Sequence, residues 1–260
     1  MKTASPPPIT ALPTRSAVMG QAGDENFTVA SFVLGRARRR HLLSLYGFAR
    51  LVDDVGDEAP GDRLALLDVV EAELDGLYAG GHGGHPVMQE LGETIRECHL
   101  PDGPFRRLIE ANRQDQRVHR YETFDELLGY CQLSAAPVGE LVLHVFGRAT
   151  PERIALSDRI CAGLQVIEHL QDVREDLGRG RVYLPQEDLR RFRCLETDLT
   201  GTPSRAWREL MQFEIERARG MLKEGAPLAR TLPLRPRLAV AGFVAGGRSA
   251  LRRLERQIKR

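Results

Sequence analysis

Aromatic residues are scarce in this chain, 6% of 260 positions with a single tryptophan, and strand-like alternation of apolar and polar positions is as rare. Sheets draw on β-branched and aromatic side chains in a period of two, so both shortages argue against a β-rich fold. Charge excess is missing too. The 37 basic residues balance 36 acidic ones, which gives no support to nucleic-acid binding as the main activity. Apolar runs are short: the longest, Leu42 to Ala49 and Leu238 to Ala245, fall well below the roughly 20 residues that span a bilayer.

Cysteines are few and widely scattered, at Cys98, Cys131, Cys161 and Cys194, without paired metal spacing, so a zinc site is not indicated. The N-terminal stretch carries Pro6, Pro7 and Pro8 and no continuous apolar core, unlike a signal peptide. Reduced thiols and a cytoplasmic location are therefore expected. Residues 1–22 are expected to be a disordered tail ahead of one domain over 23–260.

What the chain does have is helix-forming composition, with 42% hydrophobic and 28% charged residues and abundant Leu, Ala, Glu and Arg. The spacing predicts helices near 25–34, 37–56, 61–78, 85–99, 103–118, 123–147, 151–178, 204–223 and 235–258. Breaks are marked by Ala59-Pro60-Gly61-Asp62, the Gly/His loop from Gly80 to Pro86, Pro101-Asp102-Gly103-Pro104, and Gly178 to Arg181, all turn chemistry. Thr150 followed by Pro151 reads as an N-cap with proline at the first helical position. The expected fold is one all-α bundle.

Two acidic stretches stand out: Asp53-Asp54-Val55-Gly56-Asp57-Glu58 and Glu168-His169-Leu170-Gln171-Asp172-Val173-Arg174-Glu175-Asp176. Asp53 and Asp57 are one helical turn apart, with Arg50 one turn earlier. Gln165, Glu168, Asp172 and Asp176 recur at three, four and four residues, a stripe able to point one way. Like charges at this spacing destabilise a helix by roughly 0.2–0.5 kcal/mol per pair, a cost a bound cation would offset. Mg²⁺ suits such a set, because it takes a few carboxylates, several waters and substrate phosphate oxygens. An arginine nearby would add a forked donor for a diphosphate. The competing reading is a solvated charged face partnered by Arg174 and Arg179. The apolar flanks Leu164, Ile167, Val173 and Leu177 disfavour it. His169 is expected to turn away from the stripe, and His82 and His85 read weakly as metal ligands.

The segment Tyr46 to Glu58 resembles the first aspartate-rich motif of squalene and phytoene synthases. Gln165 to Asp176, trailed by Gly180 to Pro185, resembles their second, and Tyr130 to Gly139 their central segment. The order matches from Asn26-Phe27 to the last helix. Within the family the Arg39 to Leu42 run, the Asp-Asp-Val-Gly-Asp-Glu form, Arg113 to Gln116 and Arg181 to Leu189 are similar to bacterial hydroxysqualene synthases of the hopanoid route. Three positions depart from the family pattern: Glu168 stands where Asn is usual, Gln171 where Arg is common, and Gln132 where a second Tyr or a basic residue is common.

The resemblance implies a single-domain isoprenoid synthase bundle with a central cavity. It implies Mg²⁺ at Asp53, Asp57, Glu168, Asp172 and Asp176, with no NADPH. Tyr130 would face a carbocation, and Arg50, Gln165, Arg181, Phe27 and Asp115 would contact substrate, with Arg181 also fitting a helix C-terminal charge role. The implied reaction converts presqualene diphosphate and water to hydroxysqualene and diphosphate. Alternatives are head-to-head condensation to presqualene diphosphate, squalene or phytoene, and a non-catalytic helical partner of a sister synthase, which has no need of clustered carboxylates. A sister synthase and an amine oxidase-type enzyme of the same pathway are the implied partners. The basic run Arg36 to Arg40 has two readings, a solvated face or a peripheral contact at the inner membrane face.

Overall fold

The computed structural model describes residues 7–20, 35–201 and 203–259. Eleven α-helices occur among these residues: α1 (Arg15–Met19), α2 (Arg36–Asp57), α3 (Arg63–Tyr78), α4 (Pro86–Cys98), α5 (Gly103–Asp115), α6 (Phe124–Ser134), α7 (Ala136–Val145), α8 (Pro151–Gly178), α9 (Gln186–Arg191), α10 (Arg205–Gly225) and α11 (Leu234–Ile258). No strand is present among them, only an isolated bridge linking Arg120 with Val182. The all-α class is thus as expected. The chain groups into two compact units, residues 1–117 with 137–149, and 118–136 with 150–260.

In the first unit α2 is central, packed on α1, α3, α4 and α5. Its apolar residues Leu42, Leu45, Phe48, Leu51, Val52 and Val55 are buried, and Phe48 meets Phe105 edge-on at 5.1 Å, a favoured aromatic geometry. Asp62 caps α3 by accepting from the Ala65 amide at 3.0 Å, so the Pro-Gly break ahead of it becomes a defined helix start. In the second unit α8 is the long element, packed on α6, α10 and α11. Thr150 caps it and Pro151 opens it.

Three expectations change. The helix expected over 123–147 is two, because Pro137 has no amide hydrogen and its ring clashes with the carbonyl four residues back; the break falls at Ala135. The short helix α9 went unforeseen, since six residues are too few to display a period. Part of the expected disordered tail has structure: Thr14 caps α1, and Leu12 and Val18 are buried, which offsets the entropy of ordering it. The helix expected at 25–34 lies outside the described residues.

Candidate active site

The first acidic face is built on the last two turns of α2. Asp53 is exposed and Asp57 half-buried on one side, while Asp54 turns inward. The Asn112 side-chain amide on α5 donates to Asp53 Oδ1 at 3.0 Å and to the Leu108 carbonyl at 3.3 Å, fixing the carboxylate. Gln116 donates to the Gly56 carbonyl at 2.9 Å. Gly56 permits this arrangement: a Cβ there would lie 2.0 Å from Asn112 Oδ1. Arg50 places Nε 2.7 Å from Asp54 Oδ1 and Nη2 3.7 Å from Glu58. Burial pushes the Asp54 carboxyl up, with Arg50 opposing. The arginine expected beside Asp53 and Asp57 thus also pairs with the inward Asp54, since a buried carboxylate needs a countercharge.

On α8, the ordered stripe is Gln165, His169, Asp172 and Asp176. Gln165 Nε2 lies 3.4 Å from His169 Nε2, and His169 Nδ1 lies 3.9 Å from Asp176 Oδ2. With the amide as donor, the ring proton sits on Nδ1, toward Asp176. Asp172 is half-buried; burial raises its pKa, and Asp176 and Glu175 raise it further. Glu168 is exposed, at the margin of the stripe. His169, expected to point away, belongs to the stripe instead: it is four residues from Gln165 and so only about 40° from it around the helix.

The residues around Tyr130 form an aromatic stack. His169 lies flat on Tyr183 at 3.8 Å and 12°; Tyr130 is 5.6 Å from Tyr183 and 5.5 Å from Tyr121. All four rings are buried. Tyr183 is delivered by a sharp stop after α8. Gly180 adopts φ +81°, its amide donates to Leu177 and the Arg181 amide to Asp176, the glycine-terminated pairing that closes a helix. The chain then runs beside residues 119–122, with Val182 donating to His119, Gln186 to Tyr121 and Glu187 to Glu122. Arg120 locks the strap, donating to the Gly180 carbonyl at 2.6 Å and to both Glu196 oxygens at 2.6 and 2.8 Å, a strong bidentate pair.

Other expected residues are placed as follows. Asp115 is buried at the end of α5, Arg181 is half-buried after α8, and Phe27 lies outside the described residues. His85 serves as the N-cap of α4 and also contacts the Pro13 carbonyl at 2.9 Å, a structural role in place of the metal reading. Tyr121, Tyr183, Asn112 and His169 escaped the sequence reading as site residues. Period-four counting from Gln165 is the signal that reveals His169.

Among the described residues no group of three or more His, Cys, Asp or Glu side chains is placed to hold a metal alone. What the acidic faces offer is carboxylate oxygens in pairs, Asp53 with Asp57 and Asp172 with Asp176. That donor set fits Mg²⁺, which completes its shell with water and phosphate oxygens, and does not fit zinc.

A hydroxysqualene synthase from Rhodopseudomonas palustris is 37% identical over 211 residues, spanning 79% of this chain and 70% of that protein. A phytoene synthase from Arthrospira platensis is 36% identical over 211 residues, spanning 75% and 68%. The crystal structure of squalene synthase HpnC from Alicyclobacillus acidocaldarius is 42% identical with a TM-score of 0.86, covering 92% of this chain and 91% of that one. The family described as squalene/phytoene synthase matches residues 21–260, and this chain belongs to that family of isoprenoid synthases.

Proposed function

We propose that this protein is a hydroxysqualene synthase: it converts presqualene diphosphate and water to hydroxysqualene and diphosphate. The carrying observation is that one face of α8 presents the Asp172/Asp176 pair and, through His169, joins it to the stack of Tyr183, Tyr130 and Tyr121. One end of that arrangement suits a departing diphosphate and the other a carbocation. Mg²⁺, when bound, supplies positive charge to the leaving group. Each carboxylate pair, Asp53 with Asp57 and Asp172 with Asp176, would supply metal ligands, with Glu168 at the margin of the second.

In the reaction the carbon–oxygen bond to diphosphate breaks and the electron pair leaves with diphosphate. Water forms the new carbon–oxygen bond and releases a proton, so no reductant is consumed and NADPH has no role. Arg50 and Arg181 would stabilise diphosphate oxygens, and the tyrosine faces would stabilise the cation. Phe27 and Asp115 would border the prenyl chain, and Gln165 would orient the stripe. The family resemblance supplies the proposed pathway partners: a sister synthase that provides presqualene diphosphate and an amine oxidase-type enzyme that consumes the alcohol.

Hydroxysqualene synthase relatives support the finer reading, at 37% and 39% identity; the 36% identical phytoene synthase supports the rival of head-to-head condensation. Presqualene diphosphate and farnesyl diphosphate, supplied separately in ¹⁸O-water without NADPH, separate them. The proposal expects an ¹⁸O-labelled C30 alcohol from presqualene diphosphate and no product from farnesyl diphosphate. Turnover of farnesyl diphosphate alone would transfer the assignment to condensation.

A further inference from the structure

Among the described residues no helix is long and apolar enough to cross a membrane, yet α11 carries an outward face that is apolar at one end and cationic at the other. Leu234 and Leu238 are 67% and 49% exposed. They continue through exposed Ala241 and Ala245 to Arg248 and Arg252, at spacings of four, three, four, three and four, one stripe of a helix. A Cβ built at Gly242 or Gly246 meets nothing within 4 Å, so the surface is open. The helix has six arginines and one glutamate, and that glutamate, Glu255, is taken by Arg219 at 2.6 Å.

Beside the cationic end lies a groove of about 310 Å³ lined by Arg219, Lys223, Arg248, Leu251 and Arg252. Lys223, Arg248 and Arg252 have no ion-pair partner among the described residues, whereas Arg219 is held by Glu216 and Glu255. The basic run at the start of α2 differs. There Arg40 pairs with Glu93 and Glu97, and Glu90 and Glu93 line the adjoining groove. The groove between α10 and α11 has no carboxylate among its lining residues. A stripe of exposed leucines running into unpaired arginines has the chemistry of a helix lying in an anionic lipid interface, apolar side chains in the acyl boundary and cations at the phosphates.

We infer that the outer face of α11 docks this protein on an anionic phospholipid bilayer, with Leu234 and Leu238 entering the interface and Lys223, Arg248 and Arg252 engaging lipid phosphates. Docking is independent of which prenyl diphosphate the enzyme uses, and its test needs no substrate. The full chain is sedimented with vesicles of phosphatidylcholine alone and with 30% phosphatidylglycerol. Partitioning is expected on the anionic vesicles, weakening as salt rises. Each cation near the surface contributes roughly a fivefold factor, so R248E/R252E should lose at least tenfold, and L234S/L238S several-fold. The α2 control R36E/R38E should stay within twofold. Hydrogen exchange of wild type should slow over residues 234–245 on anionic vesicles, a readout that needs no variant. Absence of wild-type partitioning, wild-type-like partitioning of R248E/R252E, or an equal loss in R36E/R38E would each overturn the inference. A dimer abolished by L234S/L238S, with exchange over 234–245 unchanged by vesicles, would assign the face to a second copy instead.

Discussion

His169 lies parallel to Tyr183, 3.8 Å away with 12° between the ring planes, while its Nδ1 stands 3.9 Å from Asp176. One imidazole thus links the aromatic stack to the carboxylate stripe. The strap that carries Tyr183 is held at one end by the Gly180 turn and along its length by residues 119–122, so the position of Tyr183 is set from both sides. A π-surface that needs no rearrangement when positive charge develops is what makes such stabilisation effective.

Tyr183→Leu removes one face of the stack. A cation over a desolvated aromatic ring is stabilised by about 2 kcal/mol, so kcat should fall roughly thirtyfold. KM should move little, because the cation exists only after ionisation. His169→Phe preserves stacking on Tyr183 and loses the contacts to Gln165 and Asp176; it should retain more activity than His169→Ala. Steady-state kinetics on the three variants decide this. Equal losses in kcat for His169→Phe and His169→Ala would show that the stack contributes nothing.

Gly56→Ala places a methyl 2.0 Å from Asn112 Oδ1. Asn112 must move, releasing Asp53. Such overpacking costs about 1–3 kcal/mol, against about 1 kcal/mol gained from a better helix former. The single variant should therefore be destabilised in urea and impaired in turnover. Gly56→Ala combined with Asn112→Ala should recover the urea midpoint while activity stays low, since Asp53 remains unanchored. A wild-type midpoint and full activity in Gly56→Ala would mean the contact has no consequence.

Metal dependence follows from the carboxylate pairs. Asp53→Asn and Asp172→Asn should each abolish turnover with little change in unfolding, because removing a like charge relieves crowding. Glu168, exposed at the margin of its stripe, should behave differently: Glu168→Asn is expected to raise the Mg²⁺ concentration for half activity by a few-fold at most. Burial and the neighbouring Asp176 and Glu175 raise the Asp172 pKa, so lowering the pH should weaken Mg²⁺ activation before ordinary carboxylates titrate. An Asp172→Asn enzyme that turns over normally at limiting Mg²⁺ would remove this pair from the site.

Much of this was legible in the residues, for reasons that differ by element. The helices containing Asp53 and Asp172 show their period over more than 20 positions, and Thr150-Pro151 announces a start that the structure keeps. His169 falls on the stripe because it stands one turn, about 40°, from Gln165, whereas Glu168 lies off the centre of that stripe. Asn112 on α5 touches Asp53 from 59 positions away, and no local pattern encodes such a contact. The Tyr183 strap was invisible for a related reason: its hydrogen bonds are made to residues 119–122, and only Gly180 hinted at a turn.

Stability should depend on pH through one buried cluster. Arg217 donates to Asp188 at 2.7 Å and to both Glu214 oxygens at 2.9 and 3.0 Å, and its guanidinium lies 3.9 Å from the Phe124 ring centre. One cation cannot neutralise two buried carboxylates, and burial pushes Glu214 up to about 8 from 4.5. The folded state therefore binds this proton more tightly than the unfolded chain does. As pH rises from about 4.5 toward 8 the unfolded carboxyl is already ionised while the folded one keeps its proton, so this residue's contribution to stability falls, by at most about 1.4 kcal/mol per pH unit. Buried His41 and His85, whose pKa values are lowered, push the other way below pH 6.5, and they are common to wild type and variant. Glu214→Gln keeps a neutral hydrogen-bonding group of the same shape and leaves Asp188 to pair with Arg217. Urea unfolding of both proteins at pH 5.5 and 7.5 isolates the effect: wild type should lose stability relative to Glu214→Gln as the pH is raised. Parallel pH profiles for the two proteins would show that Glu214 is ionised throughout and that Arg217 suffices for both acids.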